Sequence, residues 1–153
     1  MESKLKVKQN IHKYLLELIN SKIAESENAI VAAKDSRNSD TKSSAGDKFE
    51  TGRAMMQIER DKAAQQLEEA LKLKKVLDGL DASIISKAVR LGSVVKTTNY
   101  NFYLSISAGK FLIDMEEYIA VSPISPIGKL LLNLKEGDQF VFNKKAETVI
   151  YLS

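Results

Sequence analysis

Two stretches of the first 80 residues have the spacing of a single helix face, and a short polar run separates them. In the first stretch the seam positions recur every three or four residues, at Leu16, Ile19, Ile23, Ser26, Ile30 and Ala33. In the second they recur every seven residues, at Phe49, Met56, Ala63, Ala70 and Leu77. Repeats of this kind form the seam between packed helices. Two helices of similar length with a short connection pack antiparallel, so we predict a helical hairpin, or antiparallel coiled coil, over residues 1–80.

The polar run of residues 36–46 sets the predicted bounds of this hairpin. It is polar, with Ser, Asn, Asp and Gly, and it interrupts the helical period. The first helix should therefore cover about residues 7–35, and the tip about residues 36–47. Ser44 followed by Asp47 is typical of the N-cap of a second helix. Asp78 before Gly79 is typical of that helix's end.

Composition excludes several classes of function. The chain has no cysteine and one histidine, His12, so disulfides, thiolate metal sites and a zinc centre are not expected. We interpret His12 as a residue of the helix surface, and no nucleophile, base and orienting group have a recognisable spacing. No segment approaches the roughly 18 apolar residues of a membrane span, and the N-terminus does not resemble a signal peptide. We therefore predict a cytoplasmic monomer that is not an enzyme and has no membrane partner.

Residues 84–153 differ in kind from the first part and predict a small β-rich domain. They contain both prolines and short runs of β-branched and aromatic residues, such as residues 100–106. These runs, separated by turn residues, predict a sheet of four or five strands. Ser125 followed by Pro126 predicts the start of one short helix, because Ser caps helices and Pro fits the first helical position. The expected fold class is therefore α+β.

Two stretches of this second part, residues 121–132 and 134–141, resemble the C-terminal signature of Gre-type bacterial transcript cleavage factors, a family of transcription elongation factors. That signature is a strand, a Ser-Pro turn into a short Leu-rich helix, and a Gly-Asp turn into another strand. Its residues in this chain are Ser122, Pro123, Ser125, Pro126, Gly128, Gly137 and Asp138. By themselves these residues indicate a structural role: they set the turns and pack the helix. A hairpin followed by a β-rich domain is also the order found in the family.

The resemblance implies an FKBP-like fold for residues 84–153, without prolyl isomerase activity. It implies that this domain docks on the rim of the secondary channel of RNA polymerase and that the hairpin passes down the channel. Acidic residues at the hairpin tip would then help to hold a second Mg²⁺ in the polymerase active site and so speed cleavage of backtracked RNA. Mg²⁺ takes oxygen ligands and retains waters, so one or two added carboxylates suffice. The chain would meet the nascent RNA 3′ end and DNA only within the elongation complex.

Three carboxylates near the predicted tip are candidates for this role: Asp40, Asp47 and Glu50. Asp47 and Glu50 reproduce the family's Asp-x-x-Glu spacing after a glycine, and positions i and i+3 share a helix face. The chain departs from the family at the next residues, Thr51-Gly52-Arg53, and a second alignment makes Asp40 the leading acid. Acids in a first helical turn are also favoured by the helix dipole alone. Four basic residues are candidates for contact with RNA phosphates or polymerase: Arg37, Lys42, Lys48 and Arg53.

Three functions remain open from the sequence. The first is a transcript cleavage factor whose tip acids complete a Mg²⁺ site shared with polymerase. The second is a Gre-like regulator that occupies the secondary channel without promoting cleavage, which the unusual tip favours. The third is a coiled-coil adaptor unrelated to transcription, against which only the Ser-Pro and Gly-Asp matches speak.

Overall fold

A computed structural model of the chain describes the backbone of residues 2–43 and 47–153, and the side chains of residues 3–34 and 51–153. Its elements are α1 (Glu2–Ser43), α2 (Asp47–Asp78), β1 (Val94–Thr97), β2 (Asn101–Leu104), β3 (Gly109–Ile113), β4 (Glu116–Val121), α3 (Pro126–Leu131), β5 (Gln139–Phe142) and β6 (Lys145–Leu152). A helical hairpin is thus followed by a mixed sheet with one short helix. The predicted α+β class is confirmed, with six strands in place of the four or five expected.

The first helix is longer at both ends than its predicted bounds. α1 covers Glu2–Ser43, so the predicted end near residue 35 is wrong and residues 36–43 are helical. Ser, Asn and Asp each cost only about 0.5 kcal/mol inside a helix, and a helix that has already formed gains a hydrogen bond for each residue it adds. α2 ends at Asp78, as predicted. The predicted N-cap Ser44 lies outside the described residues, as do the other two residues between the helices.

The chain divides into two compact units: Leu16–Lys75, called here the hairpin unit, and Met1–Leu15 together with Val76–Ser153, called the sheet unit. The first turns of α1 therefore belong to the same compact unit as the strands. The domain limits that composition predicts, 1–80 and 84–153, stay a prediction.

The seam of the hairpin unit follows the predicted spacing. α1 buries Ile19, Ser26 and Ala33 while α2 buries Ala63 and Ala70, each with no more than 6% of its surface exposed. The remaining predicted seam positions of this unit are half-buried, and they are Leu16, Ile23, Ile30 and Met56. The coiled-coil pattern is confirmed for these residues, whereas the side chain of Phe49 lies outside the described ones.

The sheet has the strand order β3-β4-β2-β1-β6-β5. Strands β2 and β4 run parallel, and every other neighbouring pair is antiparallel. Its core is apolar and consists of Val89, Val95, Phe102, Leu104, Val121, Leu131, Val149 and Leu152. Leu131 is the last residue of α3 and is completely buried. Burial of one leucine contributes about 1.5–3 kcal/mol, so this side chain holds α3 against the sheet.

The first turns of α1 pack against the strands of the sheet unit. Ile11 has no exposed surface, and the ring of Tyr14 stacks on that of Phe111 with centroids 5.3 Å apart. His12 Nδ1 lies 2.8 Å from the hydroxyl oxygen of Tyr103. The interpretation of His12 as a residue of the helix surface is therefore wrong. The face of α1 that buries Ile11 also includes the adjacent residue, His12. Burial lowers the pKa of His12 and raises that of Tyr103.

Lys8 is a buried cation on the same helix. It is 2% exposed, and its Nζ donates a hydrogen bond to the main-chain carbonyl of Ile84. Burial, with a smaller contribution from the Arg90 guanidinium, lowers the pKa of Lys8 to about 8. Removal from water disfavours the charged form of an amine. The contact joins α1 to the irregular segment that follows α2 within the sheet unit.

Candidate functional site

The sequence analysis predicts two functional regions, and the first is the hairpin tip. The structure places Arg37, Asp40 and Lys42 in the last two turns of α1. It places Asp47, Lys48, Glu50 and Arg53 in the first two turns of α2. Asp47 is the first residue of α2, so it and Glu50 stand three residues apart in one helix, as the spacing argument requires.

The geometry of a metal site at this tip stays a prediction. The side chains of residues 35–50 lie outside the described ones, and with them Asp40, Asp47 and Glu50. Arg53 is described and is exposed to solvent. Among the side chains that the structure describes, no three His, Cys, Asp or Glu residues are grouped so that they could hold a metal ion.

The second region, residues 122–128, is called here the signature turn, and it leads into α3. Ser125 is the N-cap of α3: its Oγ accepts a hydrogen bond from the Gly128 N–H at 3.1 Å. The same hydroxyl donates to the Ser122 carbonyl at 2.6 Å, which also accepts from the Ser125 N–H at 3.1 Å. Pro126 is at the first helical position, where no N–H is needed. The turn is therefore fixed by hydrogen bonds at both ends.

Gly128 is the position in the signature turn with the least space. A Cβ added there would lie 2.0 Å from the Ser122 carbonyl oxygen and 2.9 Å from Pro123 Cα. Both are main-chain atoms, so neither can move as a flexible side chain would. The carbonyl that closes the N-cap thus occupies the volume that a side chain at residue 128 would need.

The Gly-Asp turn precedes β5 and is built in a different way. Gly137 has φ +93°, a left-handed conformation that glycine adopts without the Cβ penalty. Its N–H donates to the Val149 carbonyl at 2.8 Å. The Asp138 Oδ2 accepts from the Lys135 N–H at 2.8 Å and closes the turn. Gly137 and Asp138 thus fix this turn through the left-handed backbone conformation and one side-chain hydrogen bond.

The signature turn and α3 also leave apolar surface in contact with solvent. Ile124 is 79% exposed and Leu130 is 45% exposed. Pro126 is exposed as well, and it precedes Leu130 by four residues on the same helix, so the two share a face. These three residues are called here the apolar face. Their exposure contrasts with the complete burial of Leu131 beside them.

A buried carboxylate of the sheet unit was missed by sequence reasoning. Glu147 has no exposed surface. Its Oε1 accepts from the Thr97 hydroxyl at 2.7 Å and the Asn99 N–H at 3.0 Å, and its Oε2 accepts from Asn99 Nδ2 at 2.6 Å. Burial alone would raise the pKa of Glu147, but the hydrogen bonds from Asn99 and Thr97 outweigh it and lower the pKa. Alternation along β6 marks residue 147 as inward, yet nothing in the sequence indicates its partners.

Comparison with known proteins places the chain as follows. The fold is that of an α+β protein with an N-terminal helical hairpin. No protein-family model matches the chain, and no curated protein matches it. Among solved structures it matches that of the transcription factor Gfh1, with 18% sequence identity and a TM-score of 0.37, over 90% of this chain and 92% of that one.

Over the residues that the structure describes, none of α1, α2 and α3 combines the length and the hydrophobicity needed to cross a membrane.

Proposed function

We propose that this chain is a Gre-type factor that binds bacterial RNA polymerase in its secondary channel. The observation that supports this most is the signature turn, whose sequence resembles the family's C-terminal signature over residues 121–141. Ser122, Ser125 and Gly128 together fix the turn. The apolar face beside it is exposed to solvent. Exposed apolar side chains on a rigid support are typical of protein-binding surfaces. The factor would be cytoplasmic and monomeric, and would act through the catalytic site of polymerase.

The hairpin supports the same proposal. The second helix has 32 residues, and a helix of this length extends about 48 Å. The hairpin unit buries its own seam, from Ile19 to Ala33 on α1 and from Ala63 to Ala70 on α2. Such a helix pair can enter a deep channel of another protein without losing the contacts that stabilise it. The acids Asp40, Asp47 and Glu50 would then be delivered to the polymerase active site.

The docking part of the proposal is tested with the double variant Ile124→Asp/Leu130→Asp. Loss of two exposed apolar contacts and burial of two unpaired carboxylates should weaken binding to polymerase core enzyme at least about tenfold. Leu112→Asp/Val141→Asp is the matched control, because both residues are 64% exposed and lie away from the apolar face, on β3 and β5. Fluorescence titration of labelled protein with core enzyme gives the affinities. Equal affinity for the two double variants would show that the apolar face is not the docking surface.

The cleavage part of the proposal is tested with backtracked elongation complexes and Mg²⁺. The protein should accelerate cleavage of the RNA 3′ end, and Asp47→Ala or Glu50→Ala should reduce this stimulation at least about tenfold while polymerase affinity is kept. Glu59→Ala, an exposed acid farther along α2, is the control and should keep full stimulation. A loss confined to Asp40→Ala would select the alignment in which Asp40 leads. Full stimulation by all three tip variants would contradict the metal role.

A second candidate function is a channel-binding regulator that does not promote cleavage. The residues that favour it are Thr51-Gly52-Arg53, where the chain departs from the family pattern. In this case the wild-type protein should inhibit transcription and leave cleavage unchanged. Failure to compete with a Gre factor for polymerase would contradict both functions and favour the coiled-coil adaptor.

A further inference from the structure

A cleft in the sheet unit is lined by residues that the proposed function does not use. Its volume is about 470 Å³, and its lining residues are Lys4, Ile85, Ser86, Lys87, Lys135, Glu136 and Leu152. A volume of this order is in the range of binding sites for small ligands and peptide side chains. None of the signature-turn residues lines it. It is called here the lysine cleft.

The three lysines of the cleft differ in their pairing. Lys4 Nζ is 3.1 Å from a Glu136 carboxylate oxygen and 3.1 Å from the Leu152 carbonyl oxygen, so its charge is compensated. Lys87 and Lys135 are exposed. Neither forms an ion pair with any residue that the structure describes. The cleft therefore presents two uncompensated positive charges.

The interior of the cleft contains apolar surface and unbonded main chain. Ile85 is half-buried, so part of its apolar side chain faces the cleft's solvent, whereas Leu152 is only 2% exposed and offers almost no surface. Residues 85–88 belong to no helix or strand. Within the described ranges, none of their main-chain N–H and C=O groups forms a hydrogen bond. Such groups are donors and acceptors of full strength, and a peptide that lies along them would supply complementary groups.

We propose that the lysine cleft binds an extended acidic segment of RNA polymerase, with Lys87 and Lys135 pairing with its carboxylates and residues 85–88 bonding to its main chain. The inference rests on the proposed function, because it assigns a second contact to the same partner. Three features of the cleft together favour an acidic peptide segment as its ligand. Two exposed ammonium groups favour a ligand with anionic groups, and the half-buried Ile85 favours an apolar side chain on that ligand. The unbonded main chain favours a peptide backbone. A small inorganic anion would use only the first of these features.

The test compares two charge-reversal pairs with the full-length chain. Lys87→Glu/Lys135→Glu removes the cations of the cleft, and Lys110→Glu/Lys144→Glu makes the same change in net charge at exposed positions outside it. In titrations with polymerase core enzyme, the first pair should weaken binding about tenfold relative to the second at low salt. The difference should shrink as salt is added, because exposed ion pairs are screened. Amide hydrogen exchange on the wild-type complex should show protection over residues 85–88.

The outcomes separate this inference from the function on which it rests. Wild-type binding with equal affinities for the two pairs, or with no new protection at residues 85–88, would overturn the lysine cleft alone and keep the proposed function. Absence of wild-type binding to polymerase would overturn both. Loss of affinity in Lys87→Glu/Lys135→Glu together with protection of the segment would establish the contact.

Discussion

Replacing Gly128 with alanine should destabilise the sheet unit by about 3 kcal/mol, the upper part of the range for overpacked positions. The added Cβ would lie 2.0 Å from the Ser122 carbonyl oxygen, which is far inside contact distance. That carbonyl cannot retreat without breaking its bonds to the Ser125 N–H and hydroxyl. For a chain of this size the loss corresponds to a fall of roughly 6–12 °C in Tm, which thermal and urea unfolding followed by circular dichroism would measure.

Two further variants show whether steric overlap is the cause. Gly137→Ala places a Cβ where no atom lies within 4 Å, but at φ +93°, so it should cost only about 1–2 kcal/mol through the backbone conformation. Ser125→Ala removes the cap without adding volume and should cost about 1 kcal/mol. If Gly128→Ala were no more destabilising than Gly137→Ala, the overlap with Ser122 would not govern the signature turn. Failure of Gly128→Ala to fold at all, together with a folded Gly137→Ala, would also agree with the prediction.

The features of the fold that could be predicted from the sequence are those that depend on local periodicity. Ile19 and Ala33 on α1, with Ala63 and Ala70 on α2, share a helix face at fixed spacing, so their burial follows from the chain alone. The cap formed by Ser125 was also predictable, because the preference of Ser for caps is local. The requirement for glycine at residue 128 could not be predicted, because it depends on where the Ser122 carbonyl lies in space.

The contacts that sequence reasoning missed join residues far apart in the chain. His12 and Tyr103 are separated by 91 residues, and Lys8 and Ile84 by 76. A polar side chain on a helix is compatible with solvent until a second element covers it, and no periodicity shows which element will do so. The predicted end of α1 was wrong for a related reason. The low helix propensity of residues 36–43 is a small local cost, and the hydrogen bonds of a long helix outweigh it.

The carboxylate of Glu147 should make the stability of the sheet unit depend on pH. Its hydrogen bonds from Thr97 and Asn99 hold its pKa in the folded state below the ordinary value of 4.5. As the pH falls, the unfolded chain is therefore the first to take up a proton at this residue. The stabilisation is fully present above about pH 5 and is lost progressively as the pH falls through the folded-state pKa.

Glu147→Gln tests this because it keeps the shape of the side chain and removes its titration. At pH 7 the variant should be less stable by about 2 kcal/mol, the usual worth of a hydrogen bond to a charged group, because its donors would face a neutral amide. The difference between wild type and variant should narrow steadily below pH 5, since protonation makes the wild-type side chain neutral too. Urea unfolding at a series of pH values between about 3 and 7 measures this difference directly.

Glu117→Gln is the matched control, because its side chain is 56% exposed in the same sheet and makes one ion pair at 3.7 Å. Exposed pairs of this kind contribute less than about 1 kcal/mol, so its unfolding curve should remain close to that of the wild type at every pH. A Glu147→Gln penalty that stayed constant from pH 7 to pH 3 would mean that the charge of Glu147 does not stabilise the fold. The loss would then reflect packing alone. A penalty that disappears in acid, together with an unchanged Glu117→Gln, would establish that the ionised carboxylate joins β6 to the turn after β1.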